Sequence, residues 1–548
     1  MRRNTLTSVV MAVLVLAAPT GAQRQTAGNP IDKIREADIK RDLFALAGDD
    51  MRGREGGTLD EMNASVWVAE RAREAGLQPA GDNGTYFQFF PLERFRVSAS
   101  SPVTLGGKKL VMGKDVATDA TVLADVDATV VVAPDAGALT GLDFKGKALV
   151  VHYSPAPPAT PTPTPTPGAL ITGPPPGSQP AIRAWVRSVQ RAAGIGGGAP
   201  GAGGGGNAGA GAGGGAPAPP AGSPANAPAA LVVIIPQSFN DQWERVVVPI
   251  SRGTYALDPD GTADQRTPAR GIPTLYVREA ALGGPMAADA RLVASIFTDS
   301  FTYPSVNIIA KVPGRDARLR DEYVLFSAHQ DHDGVRYPVA GDNIWNGADD
   351  NATTAVALLA IGRAMSASPG RRSALFIWHG SEERGLMGSR WYVKHPTVPL
   401  TSIVACLNGD MMGRNDPKTA ALLGALPPHR NSPELVDIAL AANKAVSGFV
   451  IDSSWDDPNH REGWYYRSDH LPYARAGVPA LFFSTLLHQD YHTPYDNPDR
   501  IDVAKLTQMT RWMYATGRTV AEADKGPAVD PTFKLERCRD STGNYCGG

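Results

Sequence analysis

Cysteine is scarce, with three among 548 residues. Cys406 lies in the apolar run Ile403-Val-Ala-Cys-Leu407 and is expected to be buried and inert. Cys538 and Cys546 flank seven residues near the C-terminus, where an oxidising compartment would let them close a small loop. An excess of charge is also missing, since 53 basic residues face 55 acidic ones. That balance gives no sign of a nucleic acid or an anionic membrane as partner. Beyond the N-terminal segment there is no apolar run of about eighteen residues, so no membrane span is expected. The sequence has no Gly-x-Ser-x-Gly elbow, which argues against a serine hydrolase. Its glycine-rich stretch lacks the Gly-Lys-Ser/Thr ending of a phosphate-binding loop.

The chain is too long for one ordinary domain, and its composition changes along its length. Arg2 and Arg3, the apolar run from Val9 to Ala18, and the small residues Thr20-Gly-Ala22 read as a signal peptide over 1–22. An exported protein, secreted or periplasmic, is therefore expected. Residues 23–102 read as a helix over 59–75, closed by Gly76, followed by an extended stretch after Thr85. Residues 103–298 carry short β-like runs, interrupted by Pro-, Ala- and Gly-rich sequence over about 155–228. That composition cannot bury enough apolar surface to offset chain entropy, so a linker is expected there, with one helix near 181–192.

From 299 to 525 strands and helices alternate, and a short tail, 526–548, follows. Strands are expected at 322–327, 374–378, 403–407 and 479–483. Helices are expected at 354–365, 386–394, 433–445 and 503–521. This alternation predicts an α/β fold with a mixed, largely parallel sheet flanked by helices. In such sheets ligands bind beyond the carboxyl ends of the strands.

Five short segments at or near such ends carry histidines and carboxylates. They are Ala328-His-Gln-Asp-His332, Gly347-Ala-Asp-Asp-Asn-Ala352, Ser381-Glu-Glu-Arg-Gly385, Asn408-Gly-Asp410 and Asp490-Tyr-His492. Zinc takes imidazole nitrogen and carboxylate oxygen, and a catalytic site keeps a position open. Two zinc ions sharing one carboxylate, each with one His and one further carboxylate, need five protein ligands. The segments supply that number with a carboxylate to spare. Alone, the acidic pair Asp349-Asp350 reads as a helix cap and Glu382-Glu383 as a solvated turn.

In order and content the five segments resemble the metal-site motifs of the co-catalytic zinc aminopeptidases, the clan MH metallopeptidases. The similarity spans about 300–525 and extends to Met51-Arg-Gly-Arg54 and Gly76-Leu-Gln-Pro-Ala80. The intervening β-rich region resembles the protease-associated domain often inserted in that family. The resemblance implies the zinc exopeptidase fold and two zinc ions per chain. It implies His329 and Asp410 on one ion, Glu383 and His492 on the other, and Asp349 bridging them. Glu382 would be the general base, with Asp350 supporting Asp349. Asp331 would accept the second ring N–H of His329. His332 and His488 are expected beside the ligands rather than among them. The implied activity is hydrolysis of N-terminal residues from peptide substrates. A carboxypeptidase on the same fold would need an arginine for the substrate carboxylate, such as Arg414, Arg461 or Arg467. A glutaminyl-cyclase-like enzyme would need only one zinc, and a receptor-like binding protein would need no ligands at all.

Overall fold

The computed structural model describes residues 29–118, 122–133, 139, 141–154, 179–193, 195, 227–257, 269–287, 289–460 and 462–535. The expected signal peptide, the cysteine pair Cys538 and Cys546, Arg461 and most of the Pro/Gly-rich stretch lie outside these residues. The fold is mixed α/β, as the alternation of elements predicts.

Among the described residues two large sheets organise the chain, beside a two-stranded one. At the centre of the main sheet four parallel strands stand in the order Ala480–Ser484, Ile403–Gly409, Tyr323–His329 and Ser373–His379. Each is completely or almost completely buried, as strands covered on both faces must be. Tyr323–His329, first of the four in sequence, lies between the second and the third, so the connections leave it towards opposite edges. Its carboxyl end is thus a switch point, where a crevice opens. Antiparallel strands extend the sheet: Thr419–Leu423 at one end, and Thr298–Val312, Phe87–Val97 and Thr254–Leu257 at the other.

Helices Glu36–Leu46, Leu59–Glu74, Thr353–Ala367, Pro433–Val446 and Val503–Glu522 cover one face and share its apolar core with Phe326, Phe376, Trp378 and Leu407. Thr353–Ala367 is apolar nearly all round, which suits a helix buried between neighbours. The other face is closed by Met387–Lys394 and His470–Arg475 through Tyr392 and Tyr473, which pack with the buried Cys406.

The second sheet is built from strands between Val103–Leu105 and Arg291–Ile296. Its middle is parallel, through Ala148–His152, Ala230–Ile235 and Thr274–Arg278. Two helices, Gln179–Ala192 and Trp243–Arg252, pack Val186, Val189, Val246 and Ile250 onto one face of it. The region is therefore a three-dimensional α/β unit rather than a purely β one. It is stitched to the main sheet by Thr254–Leu257, which pairs with Phe87–Val97, and by Arg252 at the end of the helix before it.

Candidate metal centre

The candidate residues converge on the switch point. His329 closes its strand, Asp410 follows the neighbouring one, and Glu382 and Glu383 lie in the turn after Ser373–His379. The backbone N–H groups of Glu382 and Glu383 donate to the two carboxylate oxygens of Asp331, at 2.9 and 3.3 Å. Glu61, buried on Leu59–Glu74, accepts from Ser381 N and from Ser305 Oγ at 3.2 and 2.8 Å. Two buried carboxylates thus clamp the turn through its amide hydrogens, which fixes where Glu382 and Glu383 point. Gly380 makes this approach possible, because a Cβ there would lie 2.5 Å from Glu61 Oε1.

Two clusters result. In one, His329 Nε2 lies 3.7 Å from Glu382 Oε2 and 3.5 Å from Asp410 Oδ2. In the other, His492 Nε2 lies 3.2 Å from Glu383 Oε2, and His332 Nδ1 lies 2.9 Å from Glu383 Oε1. Asp350 stands between them. Its Oδ1 is 3.3 Å from His329 Nε2 and its Oδ2 is 3.0 Å from His492 Nε2.

This geometry corrects the expected bridge. Asp349, one residue earlier, belongs to neither cluster. Its Oδ1 accepts from Gly413 N at 2.7 Å and Thr353 Oγ1 at 3.3 Å, while Oδ2 lies 3.4 Å from His488 Nε2. It holds the loop after Asp410 against the start of the helix Thr353–Ala367. Asp350 is extended (φ −105°, ψ 89°), not helical, and its side chain enters the centre. Asp496 receives the amides of both residues at 3.0–3.1 Å and fixes the turn. Asp331 also acts differently from expectation. Its main-chain carbonyl lies 3.1 Å from His329 Nδ1, whereas its carboxylate is 3.7 Å away and serves the Glu382–Glu383 turn.

Crowding shifts the ionisable groups. Burial raises Asp410 to about 6 against the pull of His329. Burial, with Glu383, Asp469 and Asp410 adding to it, pushes Glu382 well above the ordinary carboxylate range, although His329 opposes it. Burial and Glu383 push the Asp350 carboxyl up, but contacts with His329 and His492 outweigh them and hold it low. Burial lowers His492, yet Glu383, Asp333 and Asp350 raise it to about 10.

The donor set fits zinc. Four buried carboxylates and imidazole nitrogens face one another across two clusters. Among the described residues, His329 Nε2 and Asp410 Oδ1 are buried without a hydrogen-bond partner, an expensive state that a cation between them would relieve. Imidazole and carboxylate together are ordinary zinc ligands.

Beyond the expected site residues, the structure adds His332, Asp333, Glu61 and Asp496. His332 closes the first motif and Asp333 follows it, so both were visible as residues, though their direction was not. Glu61 and Asp496 carry no local signal, because each is recruited by backbone amides distant in sequence or outside the motifs. Of the arginines suggested for a substrate carboxylate, Arg414 pairs with Asp490 at 2.6 Å. Arg467 engages Glu462 and the Tyr491 hydroxyl at 3.2 and 2.9 Å.

A buried carboxylate–imidazole centre at the switch point of a parallel sheet is a candidate metal site in an α/β fold. Residues 307–517 match the profile of Peptidase family M28. A probable leucine aminopeptidase of Arthroderma otae is 27% identical over 215 residues, covering 37% of this chain and 54% of the relative. Aminopeptidase YwaD of Bacillus subtilis is 27% identical over 188 residues, covering 33% and 39%. The chain spans about half the length of the first of these relatives. Among solved structures, the aminopeptidase from Aneurinibacillus sp. strain AM-1 superposes with a TM-score of 0.51 at 16% identity, covering 92% of this chain and 98% of the other. BSAP, a zinc aminopeptidase from Bacillus subtilis, gives a TM-score of 0.52 at 16% identity, covering 91% and 98%. At that identity the likeness establishes the fold.

Proposed function

We propose that the protein is an exported di-zinc aminopeptidase. The observation that carries this reading is the placing of the Asp350 oxygens, one on His329 and one on His492. His329 and Asp410 would hold one ion, His492 and Glu383 the other, and Asp350 would be shared. Four carboxylates, Asp350, Glu382, Glu383 and Asp410, surround the two positions, a donor set suited to divalent cations. When bound, zinc supplies Lewis acidity towards a carbonyl oxygen and a lowered pKa for water. Glu382 takes the proton from the attacking water and returns it to the leaving amine. Burial, with Glu383, Asp469 and Asp410 nearby, raises its pKa, a direction that suits a group that must both accept and donate a proton. Asp331 and Glu61 hold Glu382 at its post through the turn amides. Export rests on the N-terminal sequence, and peptide substrates on the family. We also divide the chain into an N-terminal part of the peptidase over 23–102, an insert over 103–298 resembling a protease-associated domain, and the main peptidase over 299–525.

The deciding experiment combines a metal count with assays on N-terminally free and N-blocked peptides. Two zinc ions per chain and cleavage of the free-amine peptide alone are expected. Cleavage of the blocked peptide from its C-terminal end would sink the aminopeptidase reading in favour of a carboxypeptidase. Glu382→Gln should retain both ions and lose at least the 10²–10⁴-fold typical of acid–base catalysis, read as kcat. Unchanged kcat would remove Glu382 from the mechanism.

A further inference from the structure

The imidazole of His492 has a second nitrogen. Nδ1, on the side away from Asp350, lies 3.3 Å from Asp333 Oδ2, a charge contact that lacks hydrogen-bond geometry. Asp333 is fully buried and serves several partners. Arg336 pairs with its Oδ2, and Arg384, next to Glu383, lies 3.3 Å from its Oδ1. The remaining cation comes from far away in sequence. Arg252, at the end of the helix Trp243–Arg252, donates through Nη2 to the main-chain carbonyls of Asp333 and Val335 at 2.7 and 3.3 Å. Its Nη1 lies 3.6 Å from Asp333 Oδ1, and its Nη2 lies 3.4 Å from Glu55 Oε2. Glu55 completes the ring through Arg384 at 3.4 Å. Arg252 therefore touches both the backbone and the carboxylate of Asp333, and it is almost fully buried in doing so.

We propose that Arg252 is a positioning residue for His492, acting through Asp333, so that the inserted segment helps to set the second metal position. The inference rests on the two-metal reading above. A carboxylate behind a metal-binding histidine fixes its tautomer and its ring plane, and loss of such a partner typically costs 10–100-fold in metal affinity. Asp333 can do this only if its own carboxylate is held still. Arg336 and Arg384 neutralise it, but Arg252 alone among these three also ties down its carbonyl. The insert and the ligand loop are thus joined by one buried guanidinium. Disturbing that joint should loosen the position built from His492 and Glu383 and spare the one built from His329 and Asp410.

The test is cobalt(II) and zinc titration of the full chain, with the absorption that His492→Gln removes identifying the second position. Asp333→Asn and Arg252→Gln are each expected to weaken that position about 10–100-fold and to leave the first unchanged. Arg252→Lys, which keeps the charge and a donor for the Asp333 carbonyl, should recover much of the loss. The melting temperature of the metal-free variants serves as the folding check. Equal weakening of both positions, or an undiminished second position in a folded variant, would overturn the inference alone. Loss of the fold in Arg252→Gln would also overturn it, leaving Arg252 only the task of holding the insert. Fewer than two ions in the unsubstituted chain would overturn the two-metal reading and this inference together.

Discussion

Asp349 and Asp350 are neighbours, both buried and both carboxylates, yet they face opposite environments. Asp350 meets imidazoles from two loops. Asp349 meets an amide and a hydroxyl that close the start of a helix. The difference can be separated by two isosteric substitutions. Asp350→Asn should lower the bound zinc below two per chain and abolish turnover, because an amide cannot neutralise two cations. Asp349→Asn should keep both ions but destabilise the fold by about 1–3 kcal/mol, since half of its acceptor capacity becomes a donor. Metal analysis with urea unfolding on both variants decides the matter. Retention of both ions by Asp350→Asn would reject its bridging role.

Among the elements, the short helical segment Asp49–Arg54 does more than its size suggests. Arg54 is completely buried and donates to the carbonyls of Leu46, Gln330, Asn346 and Gly347 at 2.7–2.9 Å. Two of those carbonyls belong to the loop just before Asp349, and one is the residue after His329. The N-terminal segment thereby sets the spacing between two ligand loops. Gly347 shares in this packing: at φ 59° it lets His332 approach to where a Cβ would lie 2.2 Å from the ring. Arg54→Ala would leave four carbonyls without their donor in a dry site. Unfolding in denaturant should show a loss of several kcal/mol, since each carbonyl left unpaired costs roughly 1–3 kcal/mol. A loss below about 1 kcal/mol would mean that water replaces the guanidinium.

Over the whole molecule, burial of histidines outside the proposed ligand set couples stability to pH. Burial, with His329 nearby, lowers His379 to about 3, and burial, with His429 nearby, lowers His470 to about 3. In the unfolded chain each binds a proton near pH 6.5. Between pH 6.5 and 3 the unfolded state therefore holds more protons, so stability falls as pH falls through that window and levels off below it. His470→Gln removes one such group. Its urea midpoint should drop less between pH 7 and pH 4.5 than that of the unsubstituted chain, whatever its absolute stability. An equal drop would assign the acid sensitivity to other groups.

Much of this organisation is readable without coordinates. The four parallel strands and the helices between them announce themselves as apolar runs of β length alternating with helical periodicity, and the observed bounds differ from those runs by a few residues. The five ligand segments are readable for a related reason: each is a polar break where a buried strand or helix must start or stop. The long strand Thr298–Val312 and the hairpin Gly334–Val339 with Asp342–Trp345 are not, because mixed polar sequence there becomes ordered only by pairing.

The sequence by itself determined the fold class, the loops that meet, and the residue types able to hold a metal, since strand hydrophobicity and donor chemistry are local properties. Only the tertiary structure decided that Asp350 rather than Asp349 enters the centre, and which groups stand behind it. A side chain's direction in a turn is set by the amides and cations that hold that turn. Asp496, Asp331, Glu61 and Arg252 supply those contacts from elsewhere in the chain, at separations that no local pattern records.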